Sequence, residues 1–292
     1  MILTLALLLE WWIGDPANRY HPVAWFGRWA AWCEGWLYGD DRRRGAVVWL
    51  LVVALPMMGL LILHAIFGGL FGLLMLWISI GWRSLLTHVR AVLEAESLPA
   101  ARQAVGRIVS RDTAQMDMGD ARRAALESLA ENTSDAVIAP LFWFLCLGPI
   151  GAALYRMVNT LDAMWGYHNA RYTRFGWWTA KADDLANFFP ARITARLLLW
   201  LGHNTPWQTV RAQAATHPSP NAGWPEVALA FAADLQLGGP VLRDGAYEDR
   251  PHYGRKQPNT EISQGAALRA LSLVHHTLLL AAAITWVLTL VL

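Results

Sequence analysis

Three stretches of this chain, residues 46–81, 136–155 and 270–292, contain no Asp, Glu, Lys or Arg. An uncharged run of about 20 residues is long enough to cross a bilayer, where backbone groups cannot turn to water and must satisfy one another within a helix. Residues 136–155 and 270–292 each have the length of one helix. Residues 46–81 exceed one span and predict two helices, with Gly68-Gly69 as the natural place to turn. The opening run Met1–Leu9 is short and is followed by Glu10. It lacks a basic leader and a small-residue cleavage site, and so reads as a retained first helix that continues into Trp11-Trp12 at the interface. These features predict an all-α, polytopic integral membrane protein with about four to five membrane-embedded helices. Polar helical loops join them, and residues 1–292 form a single polytopic domain.

Charged residues make up 16% of the chain and tryptophans number 17, a balance that suits a membrane protein better than a soluble one, where charge runs near 25%. A net charge of +2 with no basic run interleaved with aromatics excludes nucleic acid as a partner. Arg42-Arg43-Arg44, just before a span, reads as a topology signal. Cys33 and Cys146 are isolated and imply neither a disulfide framework nor a metal knuckle. If 136–155 crossed the bilayer as a plain span, the Lys and Arg residues would divide evenly between the two sides, with no positive-inside bias. The segment also contains Pro140 and Gly148-Pro149-Ile150-Gly151. We therefore expect it to be re-entrant or protein-buried, with the polar motifs on either side of it converging.

Those motifs carry the chemistry. Glu127, Glu131 and Asp135 recur at i, i+4 and i+8 and share one helical face. Like charges at that spacing repel and call for a bound divalent ion or for arginines such as Arg111 or Arg156. Arg156, Asn159 and Asp162 fall on one face at i, i+3 and i+6, and Asp183 and Asn187 repeat the pattern at i, i+4 beside Asp184. Such oxygen donors suit magnesium, which keeps several waters and bridges to phosphate. Asp15-Pro16 and His21-Pro22 mark turns after the first helix. In His217-Pro218-Ser219-Pro220-Asn221, followed by Glu226, the Ser and Asn either cap a helix or form an anion-binding turn. Arg107, Arg111, Arg156, Arg171 and Arg192 are candidate clamps for phosphate or carboxylate. His275 and His276 read as structural. No phosphate-binding glycine loop, dinucleotide fingerprint, nucleophile elbow or zinc-protease motif is present.

The ordered series of motifs resembles the CobD/CbiB family of cobalamin biosynthesis over nearly the whole chain. It runs from Gly14-Asp15-Pro16, His21-Pro22-Val23 and Gly27-Arg28 through Arg111-Asp112-Thr113, Glu131-Asn132 with Asp135, and Ala139-Pro140-Leu141. Tyr155-Arg156, Asn159-Thr160-Leu161-Asp162, Gly166-Tyr167, Arg171-Tyr172 and Phe175-Gly176 continue it. Asp183-Asp184 with Asn187, Pro190-Ala191-Arg192, His217 to Asn221 and Leu237-Gly238-Gly239 complete it. Ala136 departs from the glycine expected there, and the tail Arg243 to Tyr253 is only loosely family-like and receives no role. The resemblance implies a multi-pass protein of the cell (inner) membrane. Its implied reaction is amide-bond formation between a propionate of adenosylcobyric acid and (R)-1-amino-2-propanol or its O-phosphate, with ATP as cosubstrate, Mg2+ as cofactor and a corrinoid as substrate. The lipid bilayer and other corrinoid-pathway membrane enzymes are the implied partners.

Carried onto these positions, the resemblance gives Asp162, Asp183, Asp184 and Asn187 as magnesium ligands. Glu127, Glu131 and Asp135 become catalytic carboxylates that take the amine or a second cation, and His21 or His217 the proton carrier. Arg28, Arg156 and Arg192 would clamp phosphate or propionate, with Asn159, Ser219 and Asn221 orienting substrate. Trp165, Tyr167, Tyr172, Trp177 and Trp178 either line a flat corrin face or form an interfacial belt. Two other readings compete. A membrane prenyl- or alcohol-phosphotransferase also holds magnesium on aspartate-rich helices, and a non-catalytic membrane scaffold or regulator would need none of these clusters.

Overall fold

A computed structural model of the chain describes residues 1–291 apart from 17, 18, 168, 244 and 257–260, with Arg243 described in its backbone alone. It is almost wholly helical. The chain opens with α1 (Ile2–Trp12), α2 (Pro22–Leu37), α3 (Arg42–Phe67) and α4 (Gly69–Ser79), then α5 (Trp82–Leu93), α6 (Leu98–Val105) and α7 (Met118–Thr133). A π-helical turn, Ser134–Ile138, leads into α8 (Ala139–Trp165), followed by α9 (Tyr172–Phe175), α10 (Trp177–Ala186), α11 (Phe188–Leu201), α12 (Trp207–Ala214) and α13 (Gly223–Ala232). Four three-residue strands precede the last helix: β1 (Gln236–Gly238), β2 (Val241–Arg243), β3 (Ala246–Glu248) and β4 (His252–Gly254), then α14 (Gln264–Val291). β1 pairs antiparallel with β4, and β2 with β3.

Among the described residues, four helical runs are long and apolar enough to cross a membrane: Arg42–Phe67, Gly69–Leu93, Met118–Trp165 and Gln264–Val291. The turn expected at Gly68 is there. Its φ of 56° and ψ of −133° lie where only glycine is comfortable, and it separates α3 from α4. Only 17% of the most apolar window of α3 is buried within the protein; Leu50, Leu55, Met58, Ile62 and Ile66 all face outward, as a lipid-facing helix requires.

The 136–155 segment is not a straight span. At Gly148 the backbone leaves helical geometry (φ 66°, ψ −161°). The chain folds so sharply there that a Cβ at Gly151 would strike the Trp143 carbonyl, eight residues back and about 12 Å away in a continuous helix. The Gly148-Pro149 pair thus makes a helical hairpin inside the apolar run, as a re-entrant segment demands.

Cα packing resolves two compact units within the 1–292 chain, a division that no linker in the sequence marks. The first comprises Met1–Gly81, Ala139–Phe188 and the chain from Thr285 onward; the second comprises Trp82–Ile138 and Phe189–Ile284. The first unit has a core of Phe26, Ala30, Cys33, Val48, Val52, Leu161, Trp165 and Phe175. Its helices start where sequence signals say they should. His21 caps α2, its Nδ1 accepting from the Val23 N–H at 3.1 Å, with Pro22 in the first turn, and Asp41 caps α3 through the Arg44 N–H. In the second unit Asp117 and Asp120 form a reciprocal capping box at the start of α7, which sets the rotation of the helix that carries Glu127 and Glu131.

Candidate functional site

The second unit is built around a nest of charge. Glu127, only 1% exposed, accepts three donors from three parts of the chain: Arg111 Nη2 at 2.5 Å, the Gly238 N–H at 2.7 Å and Arg250 Nη1 at 3.5 Å. Arg250 also donates through Nη2 to Glu226 at 3.2 Å and approaches His217 Nε2 at 3.1 Å. Glu226, buried on α13, lies 3.5 Å from the same imidazole nitrogen. Tyr253, fully buried, lays its ring against His217 at 5.8 Å between centroids. Burial works against the charge of Arg250, but Glu226 and Glu127 outweigh it and hold its pKa above the ordinary arginine value. Burial, and next the Glu226 carboxylate, pushes the Tyr253 phenol up. A buried ion cluster persists only when its members are paired and hydrogen-bonded in this way.

Glu131, one turn beyond Glu127, stands apart. It lies among the ionisable side chains of Glu226, His217, Arg111 and Arg250 and is closely surrounded by protein atoms, although the residue keeps exposed surface. The Arg111 compensation expected for the acidic face is present, and Glu127 is saturated by guanidinium and N–H donors with no place for a cation. Asp135 falls in the π-helical turn 134–138, a wider turn than the 3.6-residue period on which the i+8 register was read.

Beside the nest, the loop after His217 is a built turn. Ser219 Oγ accepts from the N–H groups of Asn221 and Ala222 at 3.3 and 3.1 Å, so this hydroxyl closes the turn that leads into α13, whose own N-terminus carries no side-chain cap. Asn221 Oδ1 accepts from Arg192 Nη1 at 3.0 Å, and the Arg192 guanidinium lies 4.7 Å over the Trp224 ring. Arg192 is thereby joined to Asn221 of the turn that Ser219 closes.

The first unit holds the other polar cluster. Asp183 accepts from Asn187 Nδ2 at 3.1 Å and Asn159 Nδ2 at 3.4 Å, and Asn187 is held in turn by the Tyr155 hydroxyl at 2.9 Å. Burial, only partly offset by the two carboxamides and reinforced by neighbouring Asp184, pushes the Asp183 carboxyl up to about 6. Asp184 faces another way and pairs with Lys181 at 2.9 Å, while the Asp162 carboxylate lies against Gly166 at the end of α8. Among the described residues no group of three or more His, Cys, Asp or Glu is placed to share a metal ion. The donor set gathered here is one carboxylate with two carboxamides. Arg156 keeps its Nε buried without a hydrogen bond. His21 lies 3.6 Å from Asp15, and Arg28 is exposed on α2.

Three participants went unassigned on sequence grounds. Arg250 and Tyr253 belong to the tail segment given no role, yet they sit at the centre of the nest. Glu34, buried on α2, accepts from Trp165 Nε1 at 2.8 Å, Arg171 Nη2 at 2.7 Å and Tyr172 OH at 3.0 Å. This corrects two expectations: Trp165 is a core residue instead of a corrin face, and Arg171 is bound to Glu34. Tyr167 and Trp178 are about half exposed.

The family model described as CobD/Cbib protein matches residues 3–274. Relatives described as cobalamin biosynthesis protein CobD align over most of their length. That of Chromobacterium violaceum is 41% identical over 296 residues, covering 93% of this chain and 92% of its own. That of Stutzerimonas stutzeri is 44% identical over 261 residues, 86% of each, and that of Rhodobacter capsulatus 37% over 309, 98% of each. No solved structure matches.

Proposed function

The chain belongs to the CobD/CbiB family of cobalamin biosynthesis, and from that premise we propose that it joins (R)-1-amino-2-propanol, or its O-phosphate, to a propionate carboxylate of adenosylcobyric acid. The product is adenosylcobinamide or its phosphate. ATP is the cosubstrate that makes a carboxylate electrophilic. The propionate oxygen attacks the γ-phosphorus, ADP leaves and an acyl phosphate forms. The amine nitrogen then attacks the acyl carbon, phosphate leaves, and the ammonium proton passes to a base of the protein. The net change is condensation of acid and amine with loss of one water, driven by cleavage of ATP.

The observation that carries this reading is Glu131: one solvent-open carboxylate beside a cluster whose other carboxylates, Glu127 and Glu226, are already bound. A small primary ammonium needs one available anion in a restricted space, and Glu131 offers it. Arg192, held by Asn221 and stacked on Trp224, presents a fixed guanidinium suited to the phosphate of the amine or to the propionate. Magnesium is the expected companion of ATP, and Asp183 is the carboxylate of this cluster that could hold it; Asn159 and Asn187 both turn amide N–H groups to Asp183, and the Asn187 oxygen accepts from Tyr155. Held there it would neutralise phosphate charge. A prenyl- or alcohol-phosphotransferase would need opposed aspartate-rich motifs; one aspartate between two asparagines favours it less. We place the reaction on the cytosolic side of the inner membrane, where ATP is available.

The test is a product assay on membranes containing the protein, supplied with adenosylcobyric acid, aminopropanol phosphate, magnesium and ATP, with corrinoids resolved by mass. An ATP-dependent gain equal to the amine minus water supports the ligase. Inserted, folded protein that gives no such product refutes it.

A further inference from the structure

We infer that Arg250, which lies outside every motif legible in the sequence, is the positioning residue of the second unit's site. It holds His217 as a neutral imidazole with its proton on Nδ1, and so leaves Glu131 as the group that receives the ammonium proton. The argument turns on what each imidazole nitrogen meets. At Nε2 stand the Arg250 Nη2 donor at 3.1 Å and the Glu226 carboxylate at 3.5 Å. At Nδ1 stand both the N–H of Ser219, at 3.0 Å, and its carbonyl oxygen, at 3.2 Å. A neutral imidazole carries one proton and one lone pair, so the two N–H groups aimed at it cannot both be accepted.

Magnitudes decide between them. Arginine does not give up its proton in a protein, and a hydrogen bond from a charged donor is about twice as strong as one between neutral groups. A proton on Nε2 would meet a cationic donor head-on with no relief nearer than 3.5 Å. A proton on Nδ1 finds the Ser219 carbonyl already within reach. The lone pair therefore belongs on Nε2, facing Arg250.

The surroundings keep His217 in that state. The groups facing it are Glu226 on α13, Arg250 between β3 and β4, Tyr253 on β4, and Glu131 on α7, with Glu127 and Arg111 behind. The carboxylates alone would favour an imidazolium, but Glu127 and Glu226 are both engaged by the Arg250 guanidinium. With its lone pair spent on Arg250, His217 has none to offer a substrate, which removes it from the role of proton carrier expected above. Glu131 is within the same ring of charge and open to solvent. On transfer, the N–H bond of the ammonium breaks, its electron pair stays on nitrogen, and an O–H bond forms on the carboxylate.

The role of Glu131 rests on the ligase reading; the state of His217 does not, and the test keeps them separate. The full-length protein, with 15N-labelled histidine and in detergent micelles, is examined by NMR, where the ring 15N shifts and N–H couplings report which nitrogen holds the proton. The His217 signal is assigned by its loss in His217→Gln. We expect the proton on Nδ1, and in Arg250→Gln a shift of the tautomer toward Nε2–H. Arg250→Lys, which keeps the charge but not the fork, should give a mixture of the two tautomers. A proton on Nε2 in the unsubstituted protein overturns the proposal even if no variant folds. In the product assay Glu131→Gln should lower turnover at least tenfold more than His217→Gln; the reverse order overturns the assignment to Glu131. Absence of product from the unsubstituted protein would count against the ligase alone.

Discussion

Replacing Glu127 with glutamine tests whether the charge nest holds the second unit together. The substitution keeps the shape of the side chain and removes its charge. Three donors then face a neutral amide: Arg111 at 2.5 Å, the Gly238 N–H at 2.7 Å and Arg250 at 3.5 Å. Arg250 retains Glu226, so its loss is partial. Arg111, with a side chain 11% exposed, keeps a full charge with little water to solvate it. Removing one partner of a buried pair costs about 3–5 kcal/mol, and because the network is shared the three bonds do not add. For a chain of this size, roughly 2 °C of melting temperature corresponds to each kcal/mol, so Glu127→Gln should melt about 6–10 °C lower. The 17 tryptophans make intrinsic fluorescence a direct probe in detergent. Glu131→Gln, one turn along α7 and open to solvent, is the control and should shift the midpoint by less than about 2 °C. If the two variants melt alike, Glu127 is not the keystone and the buried-pair argument fails.

Asp183 predicts a pH dependence. Its carboxyl titrates near 6 in the fold against about 3.9 in an unfolded chain, so between those values the native state binds more protons and stability falls as pH rises. The stability of the unsubstituted protein should therefore fall relative to Asp183→Asn from pH 4 to pH 7 by less than about 3 kcal/mol, a melting-temperature drop of less than about 6 °C; parallel curves would show that the carboxyl titrates normally. In the product assay Asp183→Asn should abolish turnover, whereas Asp184→Asn, which breaks the pair with Lys181, should retain most of it. Gly148→Ala should destabilise by about 1–3 kcal/mol, while Gly59→Ala on the open face of α3 should be neutral or stabilising by up to about 1 kcal/mol; thermal melts that show equal shifts would mean that the hairpin does not depend on the Gly148 backbone.

The membrane architecture was legible because transfer into a bilayer is read residue by residue. Uncharged length predicted the helices, and Gly68 and Gly148-Pro149 predicted the breaks. The acidic face of α7 was legible for Glu127 and Glu131 from α-helical periodicity; Asp135 lies beyond it in a π-helical turn that the spacing did not foretell. Adjacent carboxylates mislead for the same geometric reason: successive residues on a helix point about 100° apart, so Asp183 reaches Asn159 while Asp184 turns to Lys181. Arg250 gave no signal because its partner Glu127 lies 123 residues away, and no spacing rule spans that distance. Glu34 gave no signal either, because its donors Trp165, Arg171 and Tyr172 come at least 131 residues later.

That last contact bears on how the chain is made. Glu34 emerges early, but Trp165, Arg171 and Tyr172 follow it by 131, 137 and 138 residues. At roughly 5–20 residues per second of synthesis, the carboxylate waits on the order of ten seconds before any of its final donors exist. Throughout that interval the α2 surface must remain hydrated, because burying an unpaired carboxylate is prohibitive. The final packing of α2 is therefore a late event, since a chain that ends before Trp165 holds none of these three donors to Glu34.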